Sequence, residues 1–162
     1  MARTIKTPYE LDAMLRDGKR QAEVYRKLPS LYKEGMTELD FAIAVDASFR
    51  HAGHLGMQRA AGLRTEPTMG AVLSGDNADA DSPYDVTVTG VGLHPAFPSG
   101  PTRAVLLAGQ SVVVDMSGNF SGYHLDMSRV FSLGKLPQKA LDLHAVTLEI
   151  LHSVVDMARP GL

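Results

Sequence analysis

Two strand-like segments joined by a short, glycine-bounded loop constrain the fold of this chain more than any other feature. Residues 110–117 read QSVVVDMS, a β-branched run typical of a strand, and lie between Gly109 and Gly118. The segment from Tyr123 to Phe131 follows after the loop GNFSG at residues 118–122. Because so short a connection joins antiparallel neighbours, the sequence predicts a β-hairpin.

Alternation along the two strands predicts one polar and one apolar face, because successive side chains of a strand point to opposite sides. The polar face is expected to carry Val113, Asp115, Ser117, His124, Asp126 and Ser128. The apolar face is expected to carry Val112, Val114, Met116, Tyr123, Leu125, Met127 and Phe131. The apolar face is therefore predicted to lie against the core.

The polar face carries two aspartates whose spacing bears on function. An even loop centred on Phe120 and Ser121 makes the numbers of paired positions sum to 241, which predicts Asp115 directly opposite Asp126. Directly opposed carboxylates have Cβ atoms about 5 Å apart and repel each other. Such a pair calls for a positive group between its members.

A divalent cation, or two, is one way to satisfy this pair of aspartates. Carboxylate oxygens suit Mn, Mg, Co or Zn, and paired carboxylates hold the ions of two-metal hydrolases about 3.5–4 Å apart. The alternatives are that both residues are solvated surface aspartates, that one is protonated, or that one pairs with Arg129 or Arg103.

Capping signals predict two helices before the strands. Thr7 and Glu10 have the spacing of a capping box, and the apolar positions behind them predict a long amphipathic helix that runs to Pro29. Thr37 is the expected cap of a second helix, which Gly53 ends.

The remaining pattern sets the fold class. Residues 53–103 are rich in turn formers, with short β-like runs at 71–73 and 84–89. A last helix is predicted from about Pro137 to Met157. Its apolar positions are Ala140, Leu141, Leu143, Leu148, Leu151 and Val155. The order of two helices, a strand-rich segment and a final helix predicts an α+β fold.

Composition limits the classes of function. The chain has 162 residues, 44% of them apolar, which suits one globular domain with its own core. A formal net charge of −2 argues against nucleic acid as a partner. The absence of cysteine excludes thiol nucleophiles and Cys-ligated zinc, so any metal needs His or carboxylate ligands. No apolar run reaches the ~18 residues of a membrane span, from which we expect a cytoplasmic protein without a membrane partner.

Residues 112–131 carry the most specific motif, VVVDMSGNFSGYHLDMSRVF. They resemble the VDxGxxxxGYxxDxTRxF segment of the pita-bread metallopeptidases, the family of methionine aminopeptidase, aminopeptidase P, prolidase and creatinase. Flanking segments agree with this resemblance: IKTPYEL at residues 5–11, EGMTE at 34–38 and SGDNA at 74–78. The resemblance spans nearly the whole chain and points to the Xaa-Pro aminopeptidase and dipeptidase branch.

The resemblance implies a metal centre and an architecture. By position, Asp115 and Asp126 match the first two ligands of the family's dinuclear metal site, with Asp126 bridging both ions, and Ser128 stands where a threonine is usual. The implied cofactor is a divalent metal, two Mn, Co or Zn ions in an intact family member. The implied fold is the first half of a pita-bread domain, with helices packed on a curved antiparallel sheet.

Histidines add one candidate catalytic residue. The family places a substrate-binding histidine before the metal strand, and His94, 21 positions before Asp115, is the candidate here. Ser99 is the alternative occupant of that slot, and a loop histidine without a role is the third interpretation. His51 and His54 are expected to interact with the end of a helix dipole rather than with a metal.

The family's catalytic domain is longer than this chain and takes one more histidine and two glutamates as ligands from its second half. Residues 1–162 are therefore expected to form a single unit that resembles the N-terminal half of that domain. On the last helix, His144, Glu149 and His152 are expected to be solvated rather than to replace those ligands.

Two functions follow as hypotheses. The first is a metal-dependent aminopeptidase or dipeptidase module. The intact family member is expected to hydrolyse peptide substrates at an Xaa-Pro bond, whereas this chain alone is expected to be inactive. The second is a non-catalytic module that binds a peptide or a protein. In either case the exposed half-sheet needs a cover, which a missing C-terminal half or a homo-oligomer supplies.

Overall fold

The first helix begins at its predicted cap. The computed structural model describes residues 4–58, 68–84, 86 and 88–161. Helix α1 spans Pro8–Lys27, and the side chains of Thr7 and Glu10 form the predicted capping box at its start. The α-helix ends two residues before Pro29, and a 3-10 turn, Leu28–Leu31, carries the chain past this proline. The early end follows because proline cannot donate the backbone hydrogen bond that a further α-helical turn requires.

The second helix is also capped as predicted. Helix α2 spans Glu38–His51, and Thr37 forms a capping box with Asp40. After the helix, Gly53 adopts a φ of +94°, the left-handed conformation that commonly ends helices.

Three antiparallel strands form the sheet. Strand β1 spans Gly70–Ser74, β2 spans Ser111–Asn119 and β3 spans His124–Ser132, and their order in the sheet is β1-β2-β3. The predicted run at 71–73 and the predicted hairpin are therefore both present. The central strand β2 is the most buried of the three, because it has a neighbour on each side.

The prediction of a β-strand at residues 84–89 is wrong. Of its residues, 84, 86, 88 and 89 lie outside any strand, and Asp85 and Thr87 fall outside the described residues. At its start, the Ser82 hydroxyl accepts a hydrogen bond from the Tyr84 backbone N–H at 3.2 Å. Such local side-chain bonds compete with the ladder bonds that a strand would need.

The core lies between the two helices and the apolar face of the hairpin. This face was predicted from alternation, and Val112, Val114 and Met116 are each no more than 2% exposed. Burial of one such side chain contributes about 1.5–3 kcal/mol. The helices contribute Val24, Tyr25, Leu28, Phe41, Ala42, Val45 and Phe49 to the same cluster.

Helix α3 differs from the rest of the fold. It spans Gln138–Met157, close to the predicted bounds, but none of its residues is buried. The predicted apolar stripe is solvent-exposed, with Leu151 54% and Val155 63% accessible. No helix in the described part of the chain is long and apolar enough to cross a membrane.

Candidate metal centre on the β2–β3 hairpin

The register of the hairpin differs from the predicted one by two positions. Asp115 lies opposite Ser128, and Asp126 lies opposite Ser117, so paired positions sum to 243. The prediction that Asp115 and Asp126 are directly opposed is therefore wrong. Because the shift is even, both carboxylates nevertheless stay on the same face of the sheet, as predicted.

The loop between the strands explains the shift. It consists of four residues after Asn119, and its first residue, Phe120, is buried and stacks on Phe49 with ring centroids 6.5 Å apart. The turn comes later, at Gly122, whose φ is +93° and whose N–H donates to the Asn119 side-chain oxygen at 3.1 Å. Core packing of Phe120 thus moves the centre of the loop one residue along the chain.

The two aspartates are diagonal neighbours across the hairpin. Such neighbours lie about 7 Å apart, close enough for their carboxylates to interact. Asp115 is half-buried and Asp126 is exposed. Burial raises the pKa of the Asp115 carboxyl above its ordinary value, and the charge of Asp126 raises this pKa further.

Among the described residues, no Lys, Arg or His side chain forms a salt bridge with Asp115 or Asp126. The salt bridge found in that part of the chain joins Asp12 and Arg16. Arg129, one of the two arginines considered as partners, follows Ser128 on β3 and donates instead to the Ser128 backbone carbonyl at 2.6 Å. The interpretation of the aspartates as members of an arginine salt bridge is therefore not supported.

The chemistry of the two carboxylates fits two ligands of a hard divalent cation. Their oxygens share one face, carry like charge and make no salt bridge in the described ranges. The described residues hold no cluster of three or more His, Asp or Glu side chains that would complete a site. His144, Glu149 and His152 are exposed on α3 and do not join the aspartates in such a cluster.

His94 lies in an exposed tight turn. Its Nδ1 accepts a hydrogen bond from the Ala96 N–H at 3.1 Å, and its carbonyl accepts from the Phe97 N–H at 2.9 Å. Ser99, the alternative residue, is half-buried, and its hydroxyl donates to the Thr89 carbonyl at 3.5 Å. The Ser99 side chain therefore closes the base of the loop, whereas the His94 side chain is at its exposed end.

The loop that carries His94 packs on the carboxylate face of the sheet. Leu73 shares this face with Asp115, because Leu73 pairs with Val113 two positions along β2. A Cβ atom added to Gly90 would lie 2.6 Å from the Leu73 side chain, so this start of the loop covers Leu73. The fold thus places the start of the His94 loop over the face that carries the aspartates, and the described residues do not join His94 and the aspartates in one ligand cluster.

A buried glutamate that sequence reasoning passed over anchors this loop. Glu38 is 1% exposed, and its carboxylate accepts hydrogen bonds from the Ser74 N–H, the Asn77 amide and the Thr102 hydroxyl, the last two at 2.8 Å. The signal was present, because Glu38 lies in the EGMTE segment and Ser74 and Asn77 in the SGDNA segment. What the sequence did not show is that these two segments meet.

Asn77 extends the anchor to both ends of the His94 loop. Its side-chain oxygen accepts from the Val91 N–H at 2.8 Å, and its amide donates to the Gly100 carbonyl at 3.2 Å. A cavity of about 360 Å³ opens beside this anchor and is lined by Glu38, Asn77 and neighbouring residues, and neither Asp115 nor Asp126 lines it.

His54 is a structural residue and not a helix-dipole partner. It is 3% exposed, its Nδ1 accepts from the Gly56 N–H at 2.9 Å, and its Nε2 lies 3.0 Å from the Ser117 carbonyl. These contacts assign the proton to Nε2, which donates to Ser117, so the ring is neutral. The prediction for His54 is wrong because the chain turns inward after Gly53 and buries the ring against Phe49 and Phe120.

Comparison with solved structures shows the fold. An X-Pro aminopeptidase from Thermotoga maritima MSB8 matches 99% of this chain with a TM-score of 0.75 at 18% identity, and the match covers 39% of that protein. A prolidase from Pyrococcus furiosus matches with a TM-score of 0.74 at 18% identity, over 99% of this chain and 40% of the prolidase. The α+β, pita-bread type of fold expected from the sequence is therefore confirmed.

Comparison of sequences extends this result to the family. The curated protein "Probable dipeptidase PepE" of Mycobacterium bovis is 24% identical over 99% of this chain, which spans 36% of that relative's length. The model of the family described as metallopeptidase family M24 matches residues 12–162. The predicted membership is confirmed by this match: the chain belongs to metallopeptidase family M24.

Proposed function

We propose that this chain contributes Asp115 and Asp126 as two ligands of the divalent metal centre of an aminopeptidase or dipeptidase that cleaves Xaa-Pro peptide bonds. The observation that carries the proposal is the pair itself, two carboxylates of like charge on one face that no described cation neutralises. At this diagonal position the charge of Asp126 raises the pKa of the Asp115 carboxyl, and a bound cation would offset that repulsion. The pair is therefore best explained as a ligand set.

The bound ions would supply a water activated near neutral pH and would polarise the scissile carbonyl. The residues of this chain have distinct tasks in that scheme. Asp115 and Asp126 hold the ions, and His94, on the loop that packs over the same face, contacts the substrate. Glu38 and Asn77 fix the ends of that loop.

We further propose that residues 1–162 form the N-terminal half of the catalytic domain. The curated relative and the solved structures are all more than twice as long as this chain. Helix α3 supports the proposal, because it exposes a wide apolar surface that includes Leu143, Ile150 and Val154. A second half that covers α3 would also bring the further metal ligands. We accordingly expect the 162-residue chain to hydrolyse no peptide on its own.

Calorimetric titration of the purified chain with Co²⁺ and Mn²⁺ tests the metal proposal. We expect saturable binding to the unmodified chain and at least about tenfold weaker binding to Asp115→Ala and Asp126→Ala. Asp142→Ala is the matched control, because Asp142 is an exposed aspartate on α3. Equal affinities for the unmodified chain, Asp126→Ala and the control would refute the assignment of the ligands.

The second candidate function, a peptide- or protein-binding module without catalysis, is favoured by one observation. The described residues contain no cluster of three metal-ligating side chains. This function predicts that proline-containing peptides bind equally well with and without EDTA, whereas the metallopeptidase proposal predicts that EDTA abolishes binding. Sedimentation analysis tests the homo-oligomer: a stable monomer excludes pairing through α3.

A further inference from the structure

Each aspartate of the hairpin has a serine directly opposite it in the strand pair. Asp115 lies opposite Ser128, and Asp126 lies opposite Ser117. On the other side of β2, the residue opposite Asp115 is Ala71, whose side chain has no hydrogen-bond donor. The two serine hydroxyls are therefore the neutral donors that the register places beside the two carboxylates.

The direction of one backbone group shows that the two serine–aspartate pairs are of the close type. The Ser117 N–H donates to the carbonyl of Met69, the residue before β1, at 2.9 Å, so it points away from β3. Asp115 lies two positions earlier on β2, and its N–H therefore points the same way. Both pairs are non-hydrogen-bonded pairs of the β2–β3 ladder, in which the Cα atoms lie about 4.5 Å apart and the side chains approach each other most closely.

The two hydroxyls of these pairs differ in what they bond. The Ser117 hydroxyl is buried and donates its proton to the Met69 carbonyl at 3.1 Å. Ser128 is exposed; in the described ranges its carbonyl accepts from Arg129, whereas its hydroxyl forms no hydrogen bond. The Ser128 proton is thus available to the carboxylate opposite, and the Ser117 proton is not.

The carboxylate opposite Ser128 is the one that gains most from a donor. Burial raises the pKa of the Asp115 carboxyl because it disfavours the charged form. A hydroxyl that donates to an ionised carboxylate forms a charge-assisted bond, which offsets this cost. Carboxylates that bind metals are themselves commonly hydrogen-bonded by neighbours that fix their orientation.

We propose that Ser128 is a positioning residue for Asp115, whose hydroxyl donates to one carboxylate oxygen and leaves the other for the cation. The consequence for the cation rests on the proposed function, whereas the hydrogen bond itself does not. An amide oxygen accepts the same bond, so Asp115→Asn retains it and Asp115→Ala removes it.

Urea unfolding of the metal-free chain tests the hydrogen bond through a double-mutant cycle. Ser128→Ala is expected to raise the equilibrium constant of unfolding at least about threefold, and to leave it unchanged in an Asp115→Ala background. Ser128→Thr keeps the hydroxyl and should match the unmodified chain. The matched control is Ser132→Ala, because Ser132 is exposed on the same face of β3 and lies opposite Ser111 rather than a carboxylate. An equal effect of Ser128→Ala in both backgrounds overturns the proposal.

Metal binding by the same variants separates this inference from the proposed function. Ser128→Ala is expected to bind Co²⁺ about tenfold more weakly, with a changed visible spectrum, while Ser128→Thr and Ser132→Ala match the unmodified chain. Unchanged Co²⁺ affinity and spectrum in Ser128→Ala overturn its role in the metal centre. An unmodified chain that binds no Co²⁺ overturns the proposed function, and the double-mutant cycle then decides the hydrogen bond between Ser128 and Asp115 alone.

Discussion

Two sets of carboxylates in this molecule differ in what surrounds them. Glu38 is buried, and its oxygens accept hydrogen bonds from Ser74, Asn77 and Thr102. Asp115 and Asp126 lie on a strand pair, one half-buried and one exposed, with like charges near each other and no salt bridge in the described part of the chain. Hydrogen-bond donors of the protein satisfy the Glu38 carboxylate, whereas the Asp115 and Asp126 carboxylates offer oxygens that suit a cation. The comparison separates an acid that stabilises the fold from two acids that we propose as ligands of a cation.

The largest effect is expected from Glu38→Ala. This substitution leaves the Ser74 N–H, the Asn77 amide and the Thr102 hydroxyl without their acceptor, and loss of hydrogen bonds to a buried charge should lower the free energy of unfolding by about 3 kcal/mol or more. Urea unfolding measures it. Glu34→Ala is the control, because Glu34 is exposed in the turn before α2. A loss in Glu38→Ala within about 1 kcal/mol of that in the control would contradict the structural role of Glu38.

A smaller effect on stability is expected at His54. Its ring hydrogen-bonds to the carbonyl of Ser117, which lies two positions after Asp115 on β2. Burial lowers the pKa of the His54 imidazole below its ordinary value of 6.5. The unfolded chain therefore takes up a proton before the folded one, so stability falls as the pH drops below about 6.5 towards the lowered folded pKa. Above pH 7 this contribution is fully present.

Urea unfolding between pH 8 and pH 5 checks the role of His54. His54→Gln should flatten the loss of stability at low pH, although it also lowers stability at pH 8 by removing ring contacts with Phe49 and Phe120. His51→Gln, at an exposed histidine three residues earlier, should keep the slope of the unmodified chain. The same slope in all three proteins would show that His54 does not titrate on unfolding in this range.

The smallest effect is expected from neutralising one aspartate in the absence of metal. Asp115→Asn removes the repulsion from Asp126 and the burial of a charge, so it should raise the free energy of unfolding at pH 7 by about 0.5 kcal/mol. The control Asp142→Asn should change it little. With Co²⁺ added, the sign should reverse, because only the unmodified chain gains stability from the bound ion. Lower stability of metal-free Asp115→Asn would mean that the carboxylate is held by partners of its own.

Local signals in the sequence predicted more of this fold than of its contacts. The helix caps at Thr7 and Thr37 depend on residues three positions apart, and both residues cap their helices as predicted. The face of each hairpin residue follows from alternation and was also correct. The register was wrong because it depends on Phe120, which packs on Phe49, a residue 71 positions away in the sequence.

The candidate site shows the same difference between local signals, which were read correctly, and long-range contacts, which were not. The side of the sheet that carries the aspartates followed from the sequence, and their roles as ligands remain a prediction. Glu38 was missed because its partners Ser74, Asn77 and Thr102 lie 36, 39 and 64 positions later. Helix α3 was predicted as a helix from its periodicity, but periodicity does not show which element covers its apolar side chains.

Paramagnetic broadening by Mn²⁺ tests the central distinction most directly. In two-dimensional NMR spectra of the 162-residue chain, substoichiometric Mn²⁺ should broaden the amide signals around Asp115 and Asp126, including Ser117 and Ser128, and should leave those of Ser74 and Thr102 beside Glu38 sharp. Asp126→Asn should remove the broadening. Broadening centred on Glu38 or α3, or spread evenly over the chain, would contradict the claim that the hairpin aspartates are the carboxylates that bind a cation.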